Sequence, residues 1–288
     1  MMNILTFDVE DWFHILDNDS TKTPAEWAKF ESRVERNVDN LLELLDEKNQ
    51  KATCFCLAWI GEKYPNLIKK IHDQGHEIGS HTYLHQLIFE QQQNEFKSDF
   101  LSSVHLLEDI TGAKVKSFRA PGFSLTPEVL WVFEVLAEAG IEYDCSIFPG
   151  KRAHGGMPNF HYSEPVSINV QGSIIKEFPM SCKNMLNRNL VFSGGGYFRL
   201  FPYWLIRNLS NSSEYVMTYF HPRDFDADQP MISDLTLVRK FKSYYGLGGA
   251  LNKLSKYLDD FDFQSLNEAS DSTDWTKTPV LNYKDLGK

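Results

Sequence analysis

The sequence predicts one α/β domain, a (β/α) barrel on a parallel sheet, from three observations. Short apolar runs alternate with segments of helical period along most of the chain, the pattern of strands joined by crossover helices. The 288 residues fall in the usual range of a single β/α barrel. Hydrophobic residues make up 42% and aromatic residues 14%, enough for a large packed core and too much for disorder.

In order, Asn3 to Asp8 is apolar, rich in strand formers and stops at acids, as a buried parallel strand does. From Glu26 to Glu47, the spacing of Val34, Val38, Leu41, Leu42 and Leu45 is that of a crossover helix. Ala52 to Leu57 reads as the second strand. Tyr64 to Gln74 reads as a helix restarted at Pro65 and stopped by Gly75, followed by a short strand from His76 to Ser80. Helical patterns recur over Asn94 to Thr111 and over Pro127 to Ala139, the latter with Thr126 as N-cap and Gly140 as stop. Strands are expected near Val115 to Phe118 and Ile141 to Asp144.

Pro149 to Val170 is rich in Gly, Pro, His and Asn without period, and is expected as a long loop over one face of the barrel. A strand at Ile174 to Phe178, a helix at Pro202 to Leu209, a strand at Tyr215 to Phe220 and a last helix at Leu247 to Asp262 complete the barrel. Residues 1–265 are taken as that barrel. The polar, aperiodic stretch 266–288 is a tail expected to hug the surface or fray.

Lys and Arg total 29 against 39 Asp and Glu, a formal charge of −10, which argues against nucleic acid or an anionic membrane as the main partner. No run has the length of a membrane span, and MMNILTFDVEDW carries no cleavage signal. Cys54, Cys56, Cys145 and Cys182 are too few and too scattered for a disulfide scaffold. These features lead us to expect a cytoplasmic protein.

The chemistry centres on Gly75 to His85, GHEIGSHTYLH. His81 and His85 are four residues apart, a spacing that on a helical turn puts both imidazoles on one face. Such a pair alone is often two solvated or core histidines, and it is in any case an incomplete site. Catalytic zinc uses three protein ligands and keeps a position open. Thr6-Phe7-Asp8-Val9-Glu10-Asp11 offers the third donor, three carboxylates at the end of an apolar strand, where acids rarely serve packing.

TFDVED, SHTYLH, RAPGF and YFHPRDFD occur in this order. With them, the chain resembles the polysaccharide deacetylase superfamily, the NodB-homology or carbohydrate esterase family 4 group, over nearly its full length. DVEDWF, Glu177-Phe178-Pro179, Gly194 to Arg199 and His221 to Pro230 are similar to a subgroup associated with bacterial exopolysaccharide loci. The resemblance implies a distorted (β/α) barrel with its site at the C-terminal strand ends.

It also implies roles. Asp8 takes the place of the catalytic base, and His81, His85 and a nearby acid hold a divalent metal, zinc first, with cobalt, nickel or manganese as alternatives. The common form has two adjacent Asp residues; here the run is Asp8-Val9-Glu10-Asp11, so Glu10 is favoured as the ligand and Asp11 held as its substitute. Arg119 corresponds to the arginine that pairs with the base, and the Gly122 amide to an oxyanion donor, although Gly122 stands where many members have tyrosine. His221 matches the histidine that protonates the leaving amine, a task its ordinary pKa of ~6.5 suits.

The activity so implied is metal-dependent removal of an N-acetyl group from an amino sugar of a bacterial surface polysaccharide or its precursor. Trp12, Tyr83 and Tyr197 are candidates for stacking on sugar faces, and His14 and Arg199 for lining the cleft. The glycine run at Gly194 to Gly196 lacks the Lys-Ser/Thr of a phosphate-cradling loop and is expected as a flexible wall beside the sugar. Two rivals are a cyclic imide or ureide hydrolase of the same superfamily, and a carbohydrate-binding protein without turnover. The presence of both Asp8 and His221 counts against the second.

Overall fold

A computed structural model describes all residues except 17, 153, 186 and 187. The chain begins with β1 (Met2–Ile4) and β2 (Thr6–Val9), whose residues are nearly all buried, as in a central parallel strand. Two helices follow. α1 (Pro24–Trp27) carries a proline at its first turn, and α2 (Val34–Glu47) buries Val34, Val38, Leu41, Leu42, Leu44 and Leu45 along one face. β3 (Thr53–Cys56), α3 (Ala58–Lys63), α4 (Pro65–Asp73) and β4 (Glu77–Ser80) continue the alternation. α5 (Gln93–Thr111) opens with a Gln92/Glu95 capping box and closes at left-handed Gly112.

β5 (Ser117–Phe118), α6 (Val132–Glu138) and β6 (Tyr143–Asp144) come next. β7 (Val166–Val170) and β8 (Ser173–Glu177) then form a hairpin, and β9 (Lys183–Met185) pairs antiparallel with β10 (Arg188–Leu190). The chain finishes with α7 (Gly195–Leu200), α8 (Tyr203–Asn211), β11 (Tyr215–Met217), α9 (Leu237–Tyr244), α10 (Ala250–Asp260), α11 (Leu266–Ser272) and β12 (Val280–Asn282).

The large sheet runs β12-β7-β8-β6-β5-β4-β3-β2, parallel at every step but one. The exception is β7 against β8, and it corrects the expectation of a loop over the whole of Pro149 to Val170. β7 is short and follows an aperiodic run, so no period announces it. Its register is set by a turn in which Gln171 and Gly172 both have positive φ, the geometry of tight hairpin turns. The first strand is flanked on both edges: β2 pairs with β3, while β1 pairs with β11 and Phe7 bridges Phe220.

The tail differs from expectation too. Ser265 caps α11 through a box with Glu268, β12 extends the sheet beside β7, and Tyr283 and Leu286 are buried. A three-residue strand carries no readable period; it exists because β7 offers it an edge.

Strand alternation sorts side chains into two layers. Phe7, Val9, Cys54 and Cys56 pack with the helices, while Phe55, Tyr143, Cys145, Phe178 and Met217 belong to a second cluster on the other face. Asp8 pairs in register with Phe55, so it shares that second, inner face.

Candidate metal centre and active site

Four strand ends deliver the site. Glu10 follows β2, His81 follows β4, Arg119 follows β5, and His221 follows the extended run beyond β11. Parallel strands point their C-terminal ends the same way, so these residues meet at one edge of the sheet.

The histidine segment is not the helical turn expected from its spacing. His81 continues β4, its amide bonded to the Cys56 carbonyl, and the chain then turns tightly with Thr82 at φ 66° and His85 at φ 55°. Left-handed backbone is costly for a Thr or His and persists only where its surroundings hold it. Here Ser80 Oγ accepts from the Thr82 amide and Thr82 Oγ1 from the His85 amide, and Asp99 on α5 accepts from the amides of Tyr83 and Leu84. The turn still brings both rings to one point.

That point is Glu10 Oε1, which lies 3.1 Å from His85 Nε2, 3.3 Å from His81 Nε2 and 3.5 Å from His221 Nε2. Burial raises the Glu10 carboxyl, but His85, His221 and the hydrogen bonds of His81 and His85 outweigh it and hold it well below the usual carboxylate range. Donor atoms of Glu10, His81 and His85 lie within 4.8 Å of one another, as do those of Asp8, Glu10 and His221. His81 Nδ1 is 2.8 Å from the Arg119 carbonyl, which fixes the proton on Nδ1 and leaves the Nε2 lone pair facing Glu10. A buried carboxylate with two converging imidazoles is a donor set that suits zinc and similar ions.

Asp11 is directed elsewhere. Its carboxylate accepts from the amides of Trp12 and Arg33 and from the Ser32 hydroxyl, at the start of α2. It is a cap for that helix, not a partner of the histidines.

Asp8 sits between two cationic groups. Its Oδ1 is 2.7 Å from Arg119 Nη1, and its Oδ2 is 3.9 Å from His221 Nε2. Arg119 has no exposed surface; the same Nη1 donates to Thr6 Oγ1 at 2.8 Å, and the guanidinium stacks 4.3 Å from the Phe55 ring. Gly122 begins a second left-handed step, with φ 60° there and 54° at Phe123. The turn's own bonds come from the Phe123 and Ser124 amides, which leaves the Gly122 amide outside them. A Cβ at Gly122 would lie 2.7 Å from Leu16 Cδ1.

His221 is the partly exposed member. Its Nδ1 is 3.2 Å from Asp224 Oδ2, and Asp224 Oδ1 is 3.2 Å from Arg199 Nε. Burial lowers the ring's pKa, but Asp224, Glu10 and Asp8 reverse this and raise it to about 9. Asp224 was not singled out in the sequence, although its i+3 spacing from His221, across a proline, is a capping signal. Asp226 further on is clamped by Arg33, Arg36 and Asn37, tying the His221 loop to α2.

Asp8, Glu10, His81, His85, Gly122, His221 and Asp224 line one cleft of about 250 Å³, together with His14, Phe123, Arg152, His154, Gly195, Gly196, Arg199, Tyr219 and Arg223. His14 accepts the Asp11 amide at Nδ1 and is packed against Trp27 and Trp59. Burial, with His85 and His81, outweighs Glu10 and pulls its pKa to about 3, so the ring is neutral. Its buried Nε2 has no partner among the described residues. Arg199 is buried and holds Asp224 and the carbonyls of Tyr245 and Lys242.

Three expected sugar platforms are outside the cleft. Trp12 is 3% exposed, donates to the Glu31 carbonyl and packs on Phe13 and Phe30, because it faces the segment ahead of α2 rather than the site. Tyr83 lines an outer groove with Leu84 and Asn94. Tyr197 is exposed and stacks on Phe201. The glycine run is also no loose wall: Gly194 bridges Tyr219, a Cβ there would meet the Tyr219 carbonyl at 2.1 Å, and Gly195 starts α7. The four cysteines are free thiols, and burial pushes Cys54 up to about 12.

A β/α fold with an acid-and-imidazole cluster at the C-terminal strand ends makes this an α/β protein with a candidate metal centre. The family model described as polysaccharide deacetylase matches residues 18–143, and a second, described only as a domain of unknown function (DUF3473), matches 145–271. Over residues 18–143 the chain is thus similar to the polysaccharide deacetylases. Asp8 and Glu10 precede both matched stretches.

A peptidoglycan-N-acetylglucosamine deacetylase of Bacillus cereus is 34% identical over 95 residues, 33% of this chain and 34% of that protein. A chitooligosaccharide deacetylase of Azorhizobium caulinodans is 30% identical over 89 residues, 31% of this chain and 42% of that protein. The matched region thus spans less than half the length of these curated relatives.

Among solved structures, one from Mycobacterium smegmatis, provisionally described as a polysaccharide deacetylase, superposes with TM-score 0.65 at 19% identity, covering 97% of this chain and 92% of that one. A CE4 family pseudoenzyme from Bacillus anthracis superposes with TM-score 0.52 at 13% identity, covering 98% and 69%. At these identities the likeness is one of fold. Since a pseudoenzyme shares it, activity must be argued from the site.

Proposed function

We propose that this protein is a metal-dependent N-deacetylase acting on an acetylated amino sugar of a bacterial surface polysaccharide or its precursor. The observation that carries this reading is the meeting of Glu10, His81 and His85 with Asp8 and His221 in one cleft, from three distant strand ends. The names of the relatives, deacetylases of peptidoglycan and of chitooligosaccharides, support the choice of bond.

Glu10, His81 and His85 would hold the ion, which when bound supplies Lewis-acid polarisation of the acetamide carbonyl and a more acidic water. Asp8, paired with Arg119, would accept a proton from the attacking water as its oxygen adds to the carbonyl carbon. Arg119 fixes the carboxylate through Oδ1 and leaves Oδ2 turned to the cleft. The negative charge that develops on the carbonyl oxygen is met by the Gly122 amide at the rim. His221, protonated and oriented by Asp224, gives its proton to the departing nitrogen, so the C–N bond breaks to amine and acetate.

The test measures acetate release from chitooligosaccharides and from acetylated nucleotide sugars, with metal analysis of the same preparations. Asp8→Asn and His221→Ala are each expected to lower kcat by about 10²–10⁴-fold while the protein keeps its metal. Ring-opening of cyclic imides without acetate release would transfer the protein to the rival hydrolase class. Variants as active as the parent would remove the assigned roles.

A further inference from the structure

Helix α9 is built inside out. Toward the protein, Arg239 donates to the Leu16 carbonyl, Arg239, Lys242 and Ser243 line the cleft, and Tyr244 alone packs on the core. Its apolar side faces solvent, with Leu237 84%, Val238 64%, Phe241 53% and, just past its end, Tyr245 49% exposed. At 100° per residue, Leu237, Phe241 and Val238 make one continuous arc, bounded by Lys242 on one side and on the other by Tyr244, which packs on the core, with Lys240 beyond it. A helix of a water-exposed surface has the opposite arrangement.

The patch extends beyond the helix. Tyr197, Leu200 and Trp204 are exposed on α7 and α8, and Met231 lies just ahead of α9. Arg199 joins the two segments through the carbonyls of Lys242 and Tyr245. Among the described residues, eight of the thirteen large exposed hydrophobics fall between 197 and 245, so exposed apolar side chains are concentrated in these segments.

Charge is segregated in the same place. Stretches 178–213 and 235–258 contain nine Lys and Arg and no Asp or Glu; Arg199 and Arg207 pair with Asp224 and Asp260, acids lie in 214–234 between the stretches, and Lys240 and Lys242 stand beside the apolar arc of α9. Stacking on sugars does not call for Leu237, Val238 and Met231. A second copy applied to the same face would oppose like charges. An apolar arc flanked by lysines fits an anionic phospholipid surface, where the arc enters the headgroup boundary and the lysines meet lipid phosphates.

We infer that α9 and the adjoining exposed ends of α7 and α8 form a membrane-surface face that seats the protein on an anionic bilayer, with the cleft opening beside the lipid. If the deacetylase reading also holds, the substrate is presented at that surface, as a lipid-attached or membrane-adjacent sugar.

The experiment is cosedimentation with vesicles of phosphatidylcholine alone and with about 30% phosphatidylglycerol, at low and high salt. Partitioning is expected to be at least about tenfold stronger with phosphatidylglycerol and to weaken with salt. The double variant Leu237→Ser/Phe241→Ser, whose side chains are exposed, is expected to lose about tenfold in partitioning while deacetylating a soluble oligosaccharide at the parental rate. Absence of binding to the anionic vesicles, or binding undiminished in the double variant, overturns the inference. So does a concentration-dependent dimer that this variant abolishes, since a second copy would then own the face. Vesicle binding is read without turnover, so its failure and that of the deacetylase reading are separate results.

Discussion

Replacing Arg119 by leucine leaves the Asp8 carboxylate buried with its nearest partner removed. The guanidinium has no exposed surface, the Asp8 side chain is 4% exposed, and the pair is 2.7 Å apart. Removing one member of such a pair costs about 3–5 kcal/mol. Asp8→Asn alone spares the guanidinium its bond to Thr6 Oγ1 and its stacking on Phe55, so a smaller cost of about 1.5–3 kcal/mol is expected, that of one charged hydrogen bond. In the double variant neither charge of the pair is stranded, and its cost should fall short of the sum by about 2 kcal/mol or more. The assay is urea unfolding of all four proteins at pH 7 in chelator, comparing midpoints at constant m. Costs that add to within ~0.5 kcal/mol would refute a coupled buried pair.

Other outcomes follow from the same geometry. Glu10→Gln should lower zinc affinity at least about tenfold in competition with a chromogenic chelator, whereas Asp11→Asn should keep zinc and lose about 1–2 kcal/mol of stability from the cap of α2. Gly122→Ala meets both a left-handed φ of 60° and Leu16, so kcat should fall about 10- to 100-fold for a stability loss of only about 1–2 kcal/mol by thermal melt. Burial, then the charge of Asp144 and the proton they share, raises the Glu177 carboxyl well above its ordinary value. A raised carboxyl leaves stability whole at acid pH and erodes it as pH climbs toward the folded pKa, by ~1.4 kcal/mol for each tenfold gain in the proton affinity of the folded state. The melting temperature of the parent should therefore fall from about pH 5 upward, and that of Glu177→Gln should stay flatter, because the new amide donates to Asp144 without ionising.

The residues that carry period or chemistry in short windows were legible. The apolar face of α2, the Pro65 start and Gly75 stop around α4, and the acids after β2 are local properties, set by 3.6-residue or two-residue repetition and by side-chain type. Short, edge-dependent elements were not. β7 and β12 exist because other strands supply hydrogen-bonding edges, which no window of sequence contains. The turn that carries His81 and His85 was misread as helical because a spacing of four has the same appearance in a left-handed turn held by Ser80, Thr82 and Asp99.

By itself the sequence determined the β/α alternation and the inventory of the site: a carboxylate cluster, a histidine pair, an arginine and a late histidine. Tertiary structure decided the assignments within that inventory. Glu10 turns to the histidines and Asp11 to the start of α2, Asp8 shares the inner face with Arg119, and Asp224 stands behind His221. Trp12 joins the core, and α9 turns its apolar side outward. The physical reason is that side-chain direction depends on register, backbone handedness and partners many residues away, all of which arise only when the strands come together.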